Sequence, residues 1–285
     1  MNGRHGRLQA MADLPIDAGE GVTLAATDDP GQGTAVVLLH GLTAARRYVV
    51  MGSGALQRAG HRVVAYDARG HGSSSPPRDG AAYGYDALTG DLACVLDELG
   101  IERAVLAGVS MGAHTCLALA LEQPERVAGV VAITPGFDPV EYDDPARLAR
   151  WDALSAALRE GGIEGFAEAF GVQRIPERWR TSVGRALRQR MAVHEHLDAV
   201  ADALRRVPRS APFEDLHALE QIECPALVVG SRDEADPGHR LEVARRYAEL
   251  LPAGRLVVEE QGASPLAWQG GRVSKLIAEV AARAR

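Results

Sequence analysis

The sequence predicts an α/β fold: a mostly parallel sheet with helices on both faces, interrupted by a helical insertion. Two observations carry that expectation. Short apolar, β-branched runs alternate with longer helical patterns, the signature of a parallel sheet covered on both sides. The alternation then stops over residues 137–215, where helical spacing prevails, and resumes afterwards. With 285 residues, the chain can hide about three quarters of its unfolded surface, so neither metal nor disulfide is needed to hold it together.

The elements follow in order. The first 20 residues read as a loose leader. Core strands are expected at 35–39, 63–66, 104–107, 127–133, 226–229 and 256–258, each a short β-branched run. Between the second and third, Leu88, Leu92, Val95, Leu96 and Leu99 mark one face of a helix over 85–99. An apolar stretch at 115–121 fits a helix lying on the sheet, and Pro124 closes it. After Thr134-Pro135-Gly136 come segments at 145–159, 163–170, 181–192 and 197–207. In these, Arg and Glu alternate with Leu, Ala and Trp at helical spacing, so they read as amphipathic helices. Cys224-Pro225 restarts the strand rhythm. The organisation is therefore a core of 21–136 and 216–285 carrying a helical lid over 137–215.

Composition narrows the partners. A formal net charge of −7 argues against nucleic acid and anionic membranes. No apolar run is long enough to span a bilayer. Arg4 and Arg7 have no apolar run behind them, so no signal peptide is expected. Cys94, Cys116 and Cys224 show no paired spacing, which suits a reducing, cytoplasmic setting better than a disulfide framework. No metal-ligand cluster or nucleotide loop stands out, so no cofactor and no metal are expected. Oligomeric state is not written in the sequence.

Chemistry is concentrated in Ala104-Val105-Leu106-Ala107-Gly108-Val109-Ser110-Met111-Gly112-Ala113-His114. A strand runs into G-x-S-x-G and straight into a helix, the context a nucleophile elbow requires. The turn predicts strained φ/ψ at Ser110, and Gly108 and Gly112 remove side chains that would clash. Oγ is then presented above the strand end, at a helix N-terminus that favours developing negative charge.

Two further blocks stand near it: Leu38-Leu39-His40-Gly41-Leu42, closing the first core strand, and Tyr66-Asp67-Ala68-Arg69-Gly70-His71-Gly72-Ser73-Ser74, after the second. With the elbow, they resemble the α/β-hydrolase superfamily over residues 35–135. The resemblance implies the α/β-hydrolase fold through about residue 280 and an oxyanion hole made by the Leu42 and Met111 amides. It also implies an acid in Pro225-Ala226-Leu227-Val228-Val229-Gly230-Ser231-Arg232-Asp233, which makes Asp233 the first choice. Asp236 and Asp138 are the alternatives, the latter because some members draw the acid from the loop after the elbow's neighbouring strand.

The family's usual histidine, after the last strand, is missing: Pro265 stands there, and proline has no group to take a proton from Ser110. All nine histidines lie at or before residue 239. His5 and His61 read as surface residues. His40 and His71 match positions that usually hold loops, and His114, one helical turn above Ser110, reads as a packing residue. His194, His196 and His217 belong to the lid or its exit. His239 shares a loop with Asp233 and Asp236, so a carboxylate there could orient one ring nitrogen while the other faces Ser110. The alternative is an idle histidine in the next helix's first turn.

The expected activity is that of a serine hydrolase of esterase type. It would act on a small or medium acyl substrate through a Ser110 acyl-enzyme, with His239 as base and Asp233 as acid. Serine at the elbow argues against dehalogenase or epoxide-hydrolase chemistry, whose members carry Asp there. Two other readings stand: a ligand-binding, receptor-like member of the fold, and an acyl transferase or cyclase that excludes water.

Overall fold

The computed structural model describes residues 14–78, 82–232, 236 and 238–284. The chain order is β1 (Leu14–Asp17), β2 (Thr23–Asp29), β3 (Gly33–Leu39), α1 (Ala55–Arg58), β4 (His61–Tyr66), α2 (Tyr85–Glu98), β5 (Ala104–Val109) and α3 (Met111–Glu122). It continues with β6 (Val127–Ile133), α4 (Pro145–Phe170), α5 (Glu177–Met191), α6 (Leu197–Arg206), β7 (Ala226–Val229), α7 (Leu241–Leu250), β8 (Gly254–Val257) and α8 (Gly270–Arg283).

The strands form one sheet in the order β1-β2-β4-β3-β5-β6-β7-β8. β1 and β2 pair antiparallel, as do β2 and β4, and every later pairing is parallel. Strand order reverses between β3 and β5, because β4 lies on one side of β3 and β5 on the other. The crevice at the carboxyl ends of such a pair is where open α/β sheets bind ligands. Here it holds His40-Gly41-Leu42 and Ser110.

Two apolar layers hold the sheet. One face is covered by Leu92, Val95, Cys116, Val243 and Tyr247 from α2, α3 and α7. The other is covered by Leu56 of α1 and Val273 and Ile277 of α8. β6 is buried along its whole length, which is why its sequence is an unbroken apolar run rather than an alternating one.

A third apolar cluster joins the insertion to the strand-end loops. Leu154, Leu158 and Phe166 of α4, Leu187 and Met191 of α5, and Val200 and Leu204 of α6 pack with Leu42, Ala68 and Met111. None of residues 137–215 is in a strand. Hydrogen bonds help fasten the insertion: the Gly72 amide donates to His194 Nδ1 and the Glu195 amide to the Gly72 carbonyl, both at 2.9 Å.

Two expectations need adjusting, the leader and the last strand. The leader expected over 1–20 does not extend that far, because Leu14–Asp17 pairs with β2 around a turn at Gly19–Gly21; residues 1–13 lie outside the described residues. The segments expected at 145–159 and 163–170 are two helices as read, carried here under the one label α4 and parted by a kink at Gly162, whose φ of 57° only glycine adopts readily. The last strand begins earlier than expected, at Gly254.

Candidate active site

β5 delivers Ser110 into the crevice. Its backbone sits at φ 49°, ψ −109°, a region costly for a residue with a Cβ. The strain is held by hydrogen bonds on both sides: Ser110 N donates to Ile133 O at 2.9 Å, and His114 N to Ser110 O at 3.1 Å. The two elbow glycines are obligatory. A Cβ on Gly108 would lie 2.2 Å from the Gly112 carbonyl carbon, and one on Gly112 would lie 2.4 Å from Leu39 O.

Opposite the elbow, the β3 exit loop passes close by: a Cβ on Gly41 would be 3.6 Å from the Ser110 Cβ. Among the described residues, neither the Leu42 nor the Met111 amide donates to a protein group. Both residues are anchored by their buried side chains in the cluster beneath the insertion.

Histidines fix this loop. His40 Nε2 accepts from the Ala68 amide at 2.9 Å, while Nδ1 faces Gly41 O at 2.8 Å. Burial and the neighbouring His71 push the His40 pKa down to about 3, so the ring is neutral and structural. The His71 ring faces Arg69 O and Leu42 O, each at 2.9 Å, and burial lowers its pKa also. Behind them, Arg69 makes a buried two-pronged ion pair with Asp91, with bonds of 2.8 and 2.7 Å. His194 is depressed to about 2, first by burial and then by His71 and His40.

The loop between β7 and α7 brings a histidine to Ser110. His239 Nε2 lies 2.8 Å from Ser110 Oγ, and His239 Nδ1 lies 2.9 Å from Asp236 Oδ2. With Nδ1–H donating to the carboxylate, Nε2 is left free to accept from the serine hydroxyl. Burial alone would lower the His239 pKa, but the charge of Asp236 and its hydrogen bond outweigh it, and the net shift is upward. Burial likewise favours the neutral Asp236. The charge and hydrogen bond of His239, with Arg190 nearby, more than reverse this and hold the carboxyl below its usual range. The pair thus behaves as carboxylate plus a strengthened base.

The other acids are placed differently. Asp233, the first choice from sequence, lies outside the described residues; the carboxylate on His239 is that of Asp236. Asp138 is engaged by Arg246 at 2.9 Å and Arg240 at 3.6 Å. Pro265 opens a buried 3₁₀ turn after β8. The neighbouring carboxylate, Glu259, ties the two strand-exit loops together by accepting from the Arg232 and Leu266 amides at 2.6 and 3.2 Å.

Two further residues were not singled out from sequence. Glu259 is one; its only signal was a carboxylate immediately after a core strand. Arg190 of α5 is the other. Its Nε is buried without a hydrogen-bond partner among the described residues, and its charge reaches Asp236, His239 and His194. One more arginine in an arginine-rich helix gave no warning of that.

The chain belongs to the alpha/beta hydrolase fold family, whose model matches residues 34–269. RutD of Variovorax paradoxus, named for carbamate hydrolysis, is 31% identical over 207 residues, covering 72% of this chain and 76% of that one. The 2-hydroxy-6-oxononadienedioate/2-hydroxy-6-oxononatrienedioate hydrolase of Burkholderia vietnamiensis is 32% identical over 208 residues, with coverages of 70% and 71%. Among solved structures, a thermophilic esterase from Thermogutta terrifontis with malate bound superposes with a TM-score of 0.74 at 26% identity. That match covers 94% of this chain and 97% of the esterase.

Proposed function

We propose that the protein is a serine hydrolase of carboxylesterase type, acting on small or medium acyl substrates. The observation that carries this reading is the continuous relay Ser110–His239–Asp236, with contacts of 2.8 and 2.9 Å. Ser110 Oγ attacks the acyl carbonyl as His239 Nε2 takes its proton, and the Asp236 carboxylate stabilises the resulting imidazolium. The oxygen that gains the carbonyl electron pair is held by the Leu42 and Met111 amides, each such donor being worth about 3 kcal/mol. Collapse breaks the bond to the alcohol oxygen, which leaves with the proton from His239. Water then repeats the sequence on the acyl-enzyme, releasing the acid and restoring Ser110.

Helices α4–α6 serve as the lid, over residues 137–215, on a core of 21–136 and 216–285. Their apolar cluster with Leu42 and Met111 supports this, since it would exclude water from the acyl intermediate. No cofactor enters the scheme. A cytoplasmic setting is supported by the free Cys94, Cys116 and Cys224. Among the described residues no helix is long and apolar enough to cross a membrane.

The test is a nucleophile-directed fluorophosphonate label together with turnover of a short-chain aryl ester. Ser110→Ala should abolish labelling and most turnover while remaining folded. His239→Ala should lower kcat by about 10²–10⁴ with KM nearly unchanged. A Ser110→Ala protein with full turnover would sink the reading, and a fall of less than about threefold in His239→Ala would clear His239 of the base role.

A further inference from the structure

The base stands on a loop that must be aimed at an elbow on another strand, and the β6 exit segment, 134–138, lies between them. Its Gly136 is in direct contact with the base: a Cβ there would lie 3.2 Å from His239 Cδ2 and 3.8 Å from Gly238 O. This segment is fixed from three directions. His114, one helical turn above Ser110, accepts the Gly136 and Phe137 amides on Nε2 at 3.0 and 3.1 Å. Its Nδ1–H then faces Tyr85 Oη at 2.8 Å. Tyr247 Oη donates to Phe137 O at 2.9 Å. Asp138 anchors Arg246 and also Arg240, the residue next to His239.

From this geometry we infer that His114 is a positioning residue. It locks segment 134–138 into a seat for His239 and so couples the nucleophile's helix to the base. The inference rests on His239 being the base.

Two features separate this from simple packing. A packing ring needs no particular protonation state, whereas accepting two amides on Nε2 requires that nitrogen to be unprotonated. Burial, with the nearby His239 and Arg147, keeps it so by pushing the His114 pKa to about 3. The groups facing the ring are Tyr85 and Tyr247, the two amides, His239 and Arg147. Among the described residues no carboxylate pairs with it to undo that depression. The seat is also built for one occupant: Gly136 has no side chain where His239 lies, and the Gly136 and Phe137 amides are both taken up by His114.

The experiment measures the His239 imidazole pKa by NMR titration, alongside kcat and KM for an aryl ester, in three variants. His114→Gln keeps an acceptor where Nε2 stood, His114→Leu removes it, and Gly136→Ala fills the seat without touching His114. In His114→Leu the Asp236 contact should loosen, so the His239 pKa should fall toward its ordinary value of about 6.5. kcat should drop by about 10²-fold, the loss expected of a misplacement near 1 Å, with KM within about twofold. His114→Gln should recover most of both. Gly136→Ala should lower kcat and displace the His239 titration, and it decides the matter if His114→Leu fails to fold.

A wild-type His239 titration and kcat in folded His114→Leu, or in Gly136→Ala, would overturn the inference. Failure of the base assignment looks different: His239→Ala would keep its turnover while the His239 titration still moved in His114→Leu.

Discussion

Replacing Asp236 by Asn tests the electrostatics of the relay directly. In the proposed mechanism the carboxylate does two things for His239: it fixes the tautomer that leaves Nε2 free, and it stabilises the imidazolium formed as Ser110 attacks. The two side chains are about a quarter exposed, 26% and 25%, so the charge acts in a medium well short of bulk water. Two unit charges about 4 Å apart at an effective dielectric of about 20 attract by about 4 kcal/mol. Halving this for solvent screening leaves about 2 kcal/mol, or about 30-fold in rate.

The tautomer adds to that loss. An Asn that turns its NH₂ toward Nδ1 forces the proton onto Nε2, where it faces Ser110 Oγ and blocks acceptance. In a serine protease the corresponding change costs about 10⁴ in kcat. Asp236→Asn should therefore lower kcat by about 10²–10⁴ with little change in KM. The sign of the pH effect follows from the upward shift of His239. Activity needs the neutral ring, so the wild-type rate falls as pH drops through a pKa above about 6.5. Removing the Asp236 charge lowers that pKa, and the acid limb moves to lower pH. The assay is kcat and kcat/KM for an aryl ester across the imidazole titration range, with Asp233→Asn beside it. If Asp236→Asn kept more than about a third of kcat with an unmoved limb while Asp233→Asn lost activity, the acid would be Asp233 and the reasoning refuted.

Other outcomes follow from neighbouring contacts. Arg190 lowers the His239 pKa, so Arg190→Gln should move the acid limb of kcat/KM upward; a limb that moved down would show that another charge dominates. Gly112→Ala places a Cβ 2.4 Å from Leu39 O, backbone that cannot swing aside. It should cost about 3 kcal/mol in chemical denaturation and reduce fluorophosphonate labelling. Arg69→Met strands the buried Asp91 carboxylate, whose pKa burial already raises against the pull of Arg69. The expected loss is about 3–5 kcal/mol, measured by denaturation at neutral pH.

Most of the sheet could be read from the chain because its central strands are buried on both faces, and that burial writes itself as unbroken apolar runs such as Val127–Ile133. β1, the edge strand, and β2, its inward neighbour, escaped because neither is an unbroken apolar run. Leu14-Pro15-Ile16-Asp17 and Thr23–Asp29 carry little β-branched character, and their pairing is set by a turn with three consecutive positive φ values. The elbow was legible because it needs glycines at fixed spacing between a strand and a helix. The His239 contact was reachable by elimination, with no later histidine and a loop already rich in acid. Which acid was not: Asp138, Asp233 and Asp236 have similar chain neighbourhoods, and only the fold reveals that Asp138 is engaged by two arginines. Arg190 and Glu259 left no pattern, since isolation or burial of a single charged group is a property of three dimensions.

Carrying Asp236 and His239 on one short stretch of chain has a consequence for how the site can fail. The two positions are three apart in sequence, whereas Ser110 is 129 residues from His239. When acid and base come from separate loops, either can drift alone, and two long-range distances must be right at once. Here the carboxylate travels with the imidazole when the β7–α7 loop moves as a whole, which changes one distance, from His239 to the serine, and leaves the orienting bond intact; only a turn of the ring within the loop, as when its seat at Gly136 is lost, loosens that bond. Partial activity from a half-assembled relay is then largely designed out. On the proposed mechanism the base arrives already polarised or does not arrive, and the site behaves as a two-part joint whose seam is the 2.8 Å contact with Ser110.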